Sequence, residues 1–168
     1  MDSLIQGANW FVDTLNQRLR IAKLQLPTLS KEMTTLKPGG GFYQLDVPDE
    51  VKALESPFSL NGSHGDVRSL FGREAGDWTN FFYYERLRDI QAGSNVGRVV
   101  RLKGLLTEVE QAEVAGKKAE ETNYKVGTIV LYHDIVDGQT IHKFDFFNNQ
   151  LVINGVDYTA EHNRLIAA

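Results

Sequence analysis

The sequence predicts a mainly β protein: an antiparallel β-sandwich or barrel, with one or two short α-helices flanking it and a long extended arm. Three observations carry this expectation. Apolar and polar residues alternate with period two along most of the chain, the pattern of half-buried strands. Asp137-Gly138 sits between two alternating runs, and that dipeptide suits a two-residue hairpin turn in which both residues take positive φ. Pro27 then breaks an alternating run ahead of three consecutive glycines, Gly39 to Gly41, so the stretch after it reads as an edge or an arm. With 168 residues the chain suits one domain, residues 1–168, with a flexible arm around residues 28–50.

From Arg18 to Leu26 the run R-L-R-I-A-K-L-Q-L places Leu19 and Ile21 on one face and Leu24 and Leu26 on the other. The phase slips around Ala22 and Lys23, which predicts a bulge. Trp78 to Leu87 is aromatic-rich and reads as a strand. Val99 to Thr107 alternates cleanly, with Val100, Leu102, Gly104 and Leu106 opposite Val99, Arg101, Lys103 and Leu105. In the hairpin Tyr124 to Phe147, a two-residue turn pairs Leu131 with Phe144, Ile129 with Phe146 and His133 with His142. That face is mostly apolar and is expected to be core. The opposite face carries Val130, Tyr132, Asp134, Lys143 and Asp145 and is expected to meet solvent or a partner. Helical signals are confined to Ser63–Phe71, where Val67, Leu70 and Phe71 fall at i, i+3 and i+4 before Gly72, and to Thr159–Ala167. The charged stretch Glu108 to Thr122 reads as a loop or a short helix.

Composition excludes several classes of function. Lys+Arg total 18 against 22 for Asp+Glu, so the chain lacks the basic excess that grips nucleic acid. It contains no cysteine, which rules out disulfides and thiolate chemistry. Met1 to Trp10 has Asp2 and no basic segment before an apolar run, a poor signal peptide, and no apolar stretch is long enough to span a bilayer. Synthesis in the cytoplasm and no membrane anchor are expected.

No catalytic, cofactor or metal site is expected. The three glycines invite comparison with a phosphate-cradling loop, but Phe42, Tyr43, Gln44 and Leu45 follow them instead of Lys and Ser/Thr, and Lys37 precedes them. The expected cross-strand pair His133–His142 is the only hint of a metal site, and two half-buried rings near a hairpin end explain it better. No serine lies in a G-x-S-x-G context. The carboxylate pairs Asp49–Glu50 and Glu120–Glu121 are adjacent, so on extended chain they point to opposite faces. The run Phe81 to Tyr84 has no basic surround for stacking bases, so it suits strand core on one face and an interface on the other.

Taken in order, the motifs resemble the major tail tube proteins of contractile-tailed bacteriophages. L-P-T-L-S-K-E-M-T-T-L-K-P-G-G-G-F (Leu26 to Phe42) is similar to that family's strand running into a three-glycine loop. The other correspondences are N-W-F-V-D (Asn9 to Asp13), L-E-S-P-F-S-L-N-G (Leu54 to Gly62), V-V-R-L-K-G-L-L-T-E-V-E (Val99 to Glu110), Lys118-Ala119-Glu120 with the Y-x-V strand after it, the Asp-Gly hairpin, and L-V-I-N-G-V-D-Y (Leu151 to Tyr158) before a terminal helix. Two positions depart from the family pattern: Thr14 stands where a Gly is expected after Asp13, and Phe42 replaces the usual Met.

The resemblance implies a structural protein, not an enzyme, that self-assembles into stacked hexameric rings. These form a hollow conduit for DNA inside a contractile sheath, and the subunit belongs to the tail tube of a virion. Its implied partners are further copies of itself, the tail sheath protein outside, a baseplate initiator and a tail terminator at the ends, and a ruler (tape measure) protein and then DNA in the lumen. Leu36, Lys37, Pro38, Gly39, Gly40, Gly41 and Phe42 are expected to make the inter-ring contact. Asp46, Asp49, Glu50, Asp134 and Asp145 are the candidate lumen-facing acids, because a lumen lined by Lys and Arg holds phosphates. Two other readings are the inner tube of a tail-like bacteriocin or type VI secretion-like particle, which shares the implied fold, and a small-molecule-binding β-barrel, which requires an enclosed apolar pocket.

Overall fold

In a computed structural model that describes residues 2–114, 116–117 and 120–168, the chain is built from antiparallel strands. In order they are β1 (Ser3–Val12), β2 (Leu15–Asn16), β3 (Ile21–Leu24), β4 (Lys31–Leu36), β5 (Leu45–Val51), β6 (Ser56–Asn61), β7 (Thr79–Asp89), β8 (Asn95–Glu110), β9 (Glu121–Val136), β10 (Gln139–Asp145), β11 (Gln150–Ile153) and β12 (Val156–Asp157). Helix α1 (Gly65–Arg68), extended by a 3-10 turn over Ser69–Gly72, lies between β6 and β7, and α2 (Ala160–Leu165) follows β12. Of the expected motif Lys118-Ala119-Glu120, Lys118 and Ala119 lie outside the described residues.

The main sheet runs β12-β11-β10-β9-β8-β7-β1-β2, and the first half of β9 also pairs with β6, which pairs with β3. The sheet curls until its β1 side faces the β6–β3 branch: the Trp10 ring on β1 lies 5.4 Å from Phe58 on β6. Phe81 stacks on Trp10 and Tyr124 on Phe58, and Val12, Leu60, Val100, Leu102 and Val126 complete the core. Offset aromatic pairs of this kind are worth about 0.5–1.5 kcal/mol each beyond their buried area. The sheet does not close into a barrel. Close approach between β8 and β9 demands glycine at Gly104, where a Cβ would lie 2.8 Å from the Gly127 carbonyl oxygen, and at Gly127, where one would lie 2.8 Å from the Thr107 side chain.

Several expectations hold. Val100, Leu102, Gly104 and Leu106 are the buried side of β8. The slip near Ala22 is a register shift between Ile21 and Lys23, although the strand is shorter than expected because Arg18–Arg20 form a turn. Val67 is buried beneath α1, while Phe71 is exposed.

The long hairpin requires a correction. Asp137 and Gly138 take φ of 50° and 76°, and the first pairs, Gln139 with Val136 and Thr140 with Ile135, follow from a two-residue turn. The register then shifts between Thr140 and His142, so His142 opposes Asp134 and Phe144 opposes Tyr132. The expected pairs His133–His142, Leu131–Phe144 and Ile129–Phe146 therefore do not form. One inserted residue, Ile141, changes every later partner on that strand. The expected faces are also reversed on β9: Val130, Tyr132 and Asp134 are buried, whereas Leu131 and His133 lie on the outer side. Apolarity misled here, because the buried polar side chain Asp134 has its cation supplied by another strand.

Candidate assembly surfaces

The arm forms a separate two-stranded ladder. Leu36 pairs with Leu45, Thr34 with Val47 and Met33 with Pro48. Alternation puts Leu36, Leu45 and Val47 on one side and Met33 and Pro48 on the other, and all of them are exposed. An isolated two-stranded hairpin is marginal in water, and this one presents apolar side chains from both faces.

At its tip Phe42 is fully exposed and Tyr43 nearly so. Of the three glycines none takes positive φ. Gly39 and Gly40 have open space where a Cβ would stand, and only Gly41 is confined, with Pro38 Cγ 2.7 Å from that position. The Gly41 N–H donates to the Pro38 carbonyl at 3.2 Å, closing the turn.

At the root of the arm a groove of about 620 Å³ opens between Pro48–Leu54, the turn after β10, and α2. Its floor includes Ile129, Phe144 and Leu151, and its walls include Phe146 and Tyr158, which are exposed. Asp49, Glu50 and Asp145 stand around it with Lys52 and His162. Asp145 accepts hydrogen bonds from the Asn148 side chain at 2.7 Å and the Asn148 N–H at 3.3 Å. Asp46, farther along β5, accepts from the Thr35 hydroxyl at 2.9 Å.

The outer face of the sheet has a different character. Ladder pairing aligns Phe11, Phe82, Arg101, His133 and Lys143 in a row across β1, β7, β8, β9 and β10, and the Arg101 guanidinium lies 6.0 Å from the Phe82 ring centre. Burial first, then the charges of Lys143 and Arg101, holds the His133 imidazole below the usual histidine range. His133 meets the Thr140 hydroxyl at 3.0 Å.

Inside the curl the expected surface acid Asp134 belongs to a buried ionic cluster. Arg98 on β8 donates from Nε and Nη2 to the two Asp134 carboxylate oxygens at 3.0 and 2.6 Å. Its Nη1 lies 3.6 Å from Glu85, which also accepts the Tyr83 hydroxyl at 2.6 Å. Asp134 keeps Arg98 firmly protonated despite its partial burial. Burial, aided by the Asp134 charge, pushes the Tyr132 hydroxyl up to about 12. Asp134 is therefore withdrawn from the candidate lumen acids: its charge is consumed inside the subunit. Nothing in the sequence linked Arg98 to Asp134, which lie 36 residues apart in the chain, and the alternation had put Asp134 on the face expected to meet solvent.

None of these arrangements resembles an active centre. Among the described residues no group of three or more His, Asp or Glu side chains could hold a metal, and no helix is long and apolar enough to cross a membrane. The sheet does not close, and the groove at the arm root opens to solvent.

Compared with known proteins, residues 2–166 match the family model described as phage tail tube protein FII. The chain belongs to this family. It is also similar to the tail tube protein of Escherichia phage P2, with 26% identity over 145 residues, covering 84% of this chain and 83% of that one. The family is one of structural proteins of the phage tail, not of enzymes. Of the two departures from the family pattern, Thr14 is accommodated because Asp13 alone takes positive φ, 57°, in the turn joining Val12 to Leu15. A hairpin turn of this kind needs its special residue at the first central position only. The other, Phe42, keeps the arm tip apolar.

Proposed function

We propose that this tail tube protein assembles into hexameric rings that stack into a hollow tube inside a contractile sheath, and that DNA leaves the virion through the bore. The observation that carries the reading is the arm: it holds exposed apolar side chains on both faces, is exposed from Lys31 to Glu50, and is too small to be stable alone. Residues Leu36 to Phe42 complete the contact between rings, where a neighbouring subunit covers them. The subunit is synthesised in the host cytoplasm. Its further partners are the sheath protein outside, an initiator and a terminator at the two ends, and a tape measure protein in the bore before DNA.

The formal net charge of -4 suits a conduit that does not hold phosphates. With Asp134 buried, the acids left for the bore are Asp46, Asp49, Glu50 and Asp145. A tube reconstruction with Arg86, Arg101, Lys103 and Lys143 lining the bore would overturn this part of the reading.

The test of assembly is negative-stain electron microscopy across a concentration series, with light scattering on the same samples. Six-fold rings or hollow tubes are expected. Monomers at every concentration, even when seeded with tail baseplates, overturn the proposal.

A further inference from the structure

We propose that the groove at the root of the arm receives the arm tip of a second copy of this chain. The inference rests on the self-assembly reading above and adds the receiving site.

The groove and the tip are complementary in shape class and in charge. The groove has an apolar floor of Ile129, Phe144 and Leu151, with Phe146 and Tyr158 standing exposed at its sides. Three carboxylates, Asp49, Glu50 and Asp145, face one lysine, Lys52, among its lining. The tip offers the opposite set. Phe42 and Tyr43 project into solvent, and Lys37 is the only charged residue from Leu36 to Leu45. Two aromatic rings bury about 150–250 Å² each when covered, and a groove of about 620 Å³ is the size of pocket that encloses such groups. Gly39, Gly40 and Gly41 put no side chains between Lys37 and the aromatic pair, so the tip can enter end-on.

The occupant cannot be the chain's own tip. The ladder between Lys31–Leu36 and Leu45–Val51 holds tip and root at opposite ends of a hairpin, about 15–20 Å apart at roughly 3.3 Å per residue. Tip and root are also different surfaces, so the contact is heterologous. Each subunit donates one tip and receives another, which propagates from copy to copy instead of closing in a pair. This docking places Asp49, Glu50 and Asp145 at an interface, so of the four acids assigned to the bore above it leaves Asp46 free to face it.

The chain has no cysteine, so paired thiols report the contact directly. In assembled tubes of a Phe42→Cys/Phe146→Cys variant, a short bismaleimide linker should give a ladder of covalent oligomers on denaturing gels. A Phe42→Cys/Leu19→Cys variant, whose second thiol is exposed and outside the groove's lining, should give at least tenfold less. Charge reversal provides an independent arm: Lys37→Glu alone and Asp49→Lys/Glu50→Lys alone should each cut tube yield tenfold or more, and combining them in one chain should restore it. All these positions are exposed or near-exposed, where melting temperatures change little, so a folding defect is recognised separately. Normal tubes without the Phe42–Phe146 ladder overturn the groove and leave the tube reading standing. Failure of the unmodified protein to form tubes, even when seeded, overturns both.

Discussion

Replacing Arg98 with alanine removes the one cation that two buried carboxylates share. The Glu85 side chain is 3% exposed and that of Asp134 4%, while Arg98 itself is 24% exposed. The Arg98 guanidinium makes a two-point contact with Asp134 and reaches Glu85 at 3.6 Å. Forming such a cluster gains little net energy, because its desolvation offsets its attraction. Breaking it from one side is different: both carboxylates stay buried without the guanidinium, Asp134 keeping only the His142 imidazole at 3.8 Å and Glu85 the Tyr83 hydroxyl at 2.6 Å, at a cost of about 3–5 kcal/mol. For a chain of this size each kcal/mol moves Tm by about 2–4 °C, so Arg98→Ala should melt about 6–20 °C below the parent. The assay is thermal and urea unfolding by circular dichroism, at a concentration where scattering shows no assembly. Arg98→Lys, which keeps the charge but not the planar two-point geometry, should fall between. The pair Lys23–Glu121, at 3.7 Å with a lysine 77% exposed, is the internal control, and Lys23→Ala should cost less than about 1 kcal/mol. An Arg98→Ala protein melting within about 2 °C of the parent would refute the argument that burial makes this cluster obligatory.

Three further outcomes follow from the geometry. Thr128 sits at φ 47°, a region that costs an L-residue about 1–2 kcal/mol and is rare for a β-branched side chain; Thr128→Gly should raise stability by about 0.5–1 kcal/mol in urea titrations, and a loss would show that the threonine makes a compensating contact. His133 is held below the usual histidine range in the folded chain, so the unfolded state takes up its proton first. Its contribution to stability is complete above about pH 6.5 and is lost as pH falls toward the folded value, and His133→Gln should flatten the urea midpoint across pH 7.5 to 5; an unchanged slope contradicts this. Gly39→Val combined with Gly40→Val meets open space within the subunit, so Tm should stay within about 2 °C while tube growth stops; normal tubes would remove these glycines from the contact.

What the residues disclosed depended on the range of the interaction involved. Strand β8 was legible because its buried row, Val100 to Leu106, is specified by its own alternation. The Asp137-Gly138 turn was legible because two adjacent residues determine it. The arm was legible from Pro27 and the three glycines, and its exposure in the fold agrees with that reading, although none of Gly39, Gly40 and Gly41 needs positive φ. Farther along the hairpin, Ile141 has the same character whether or not it bulges. The bulge depends on what β10 must reach: Phe144 packs against the core beside Tyr132, and β11 pairs from His142 to Asp145. Those demands come from three strands at once.

The same distinction separates the two kinds of acid. Asp134 and Asp145 looked alike in the sequence, each in an alternating run with mixed neighbours. In the fold Asp134 meets a guanidinium from the neighbouring strand β8 at 2.6 Å, and its charge is spent on that partner. Asp145 ends its strand, where its hydrogen bonds go to Asn148 three residues away and its charge stays available to a neighbour. A strand reports which residues are polar, but whether a carboxylate is structural or free is decided by the strand beside it. On the proposed assembly, the free acids and the uncovered aromatic tip are the groups left for contacts between copies. They are found by subtracting the charges and rings that the single chain already satisfies.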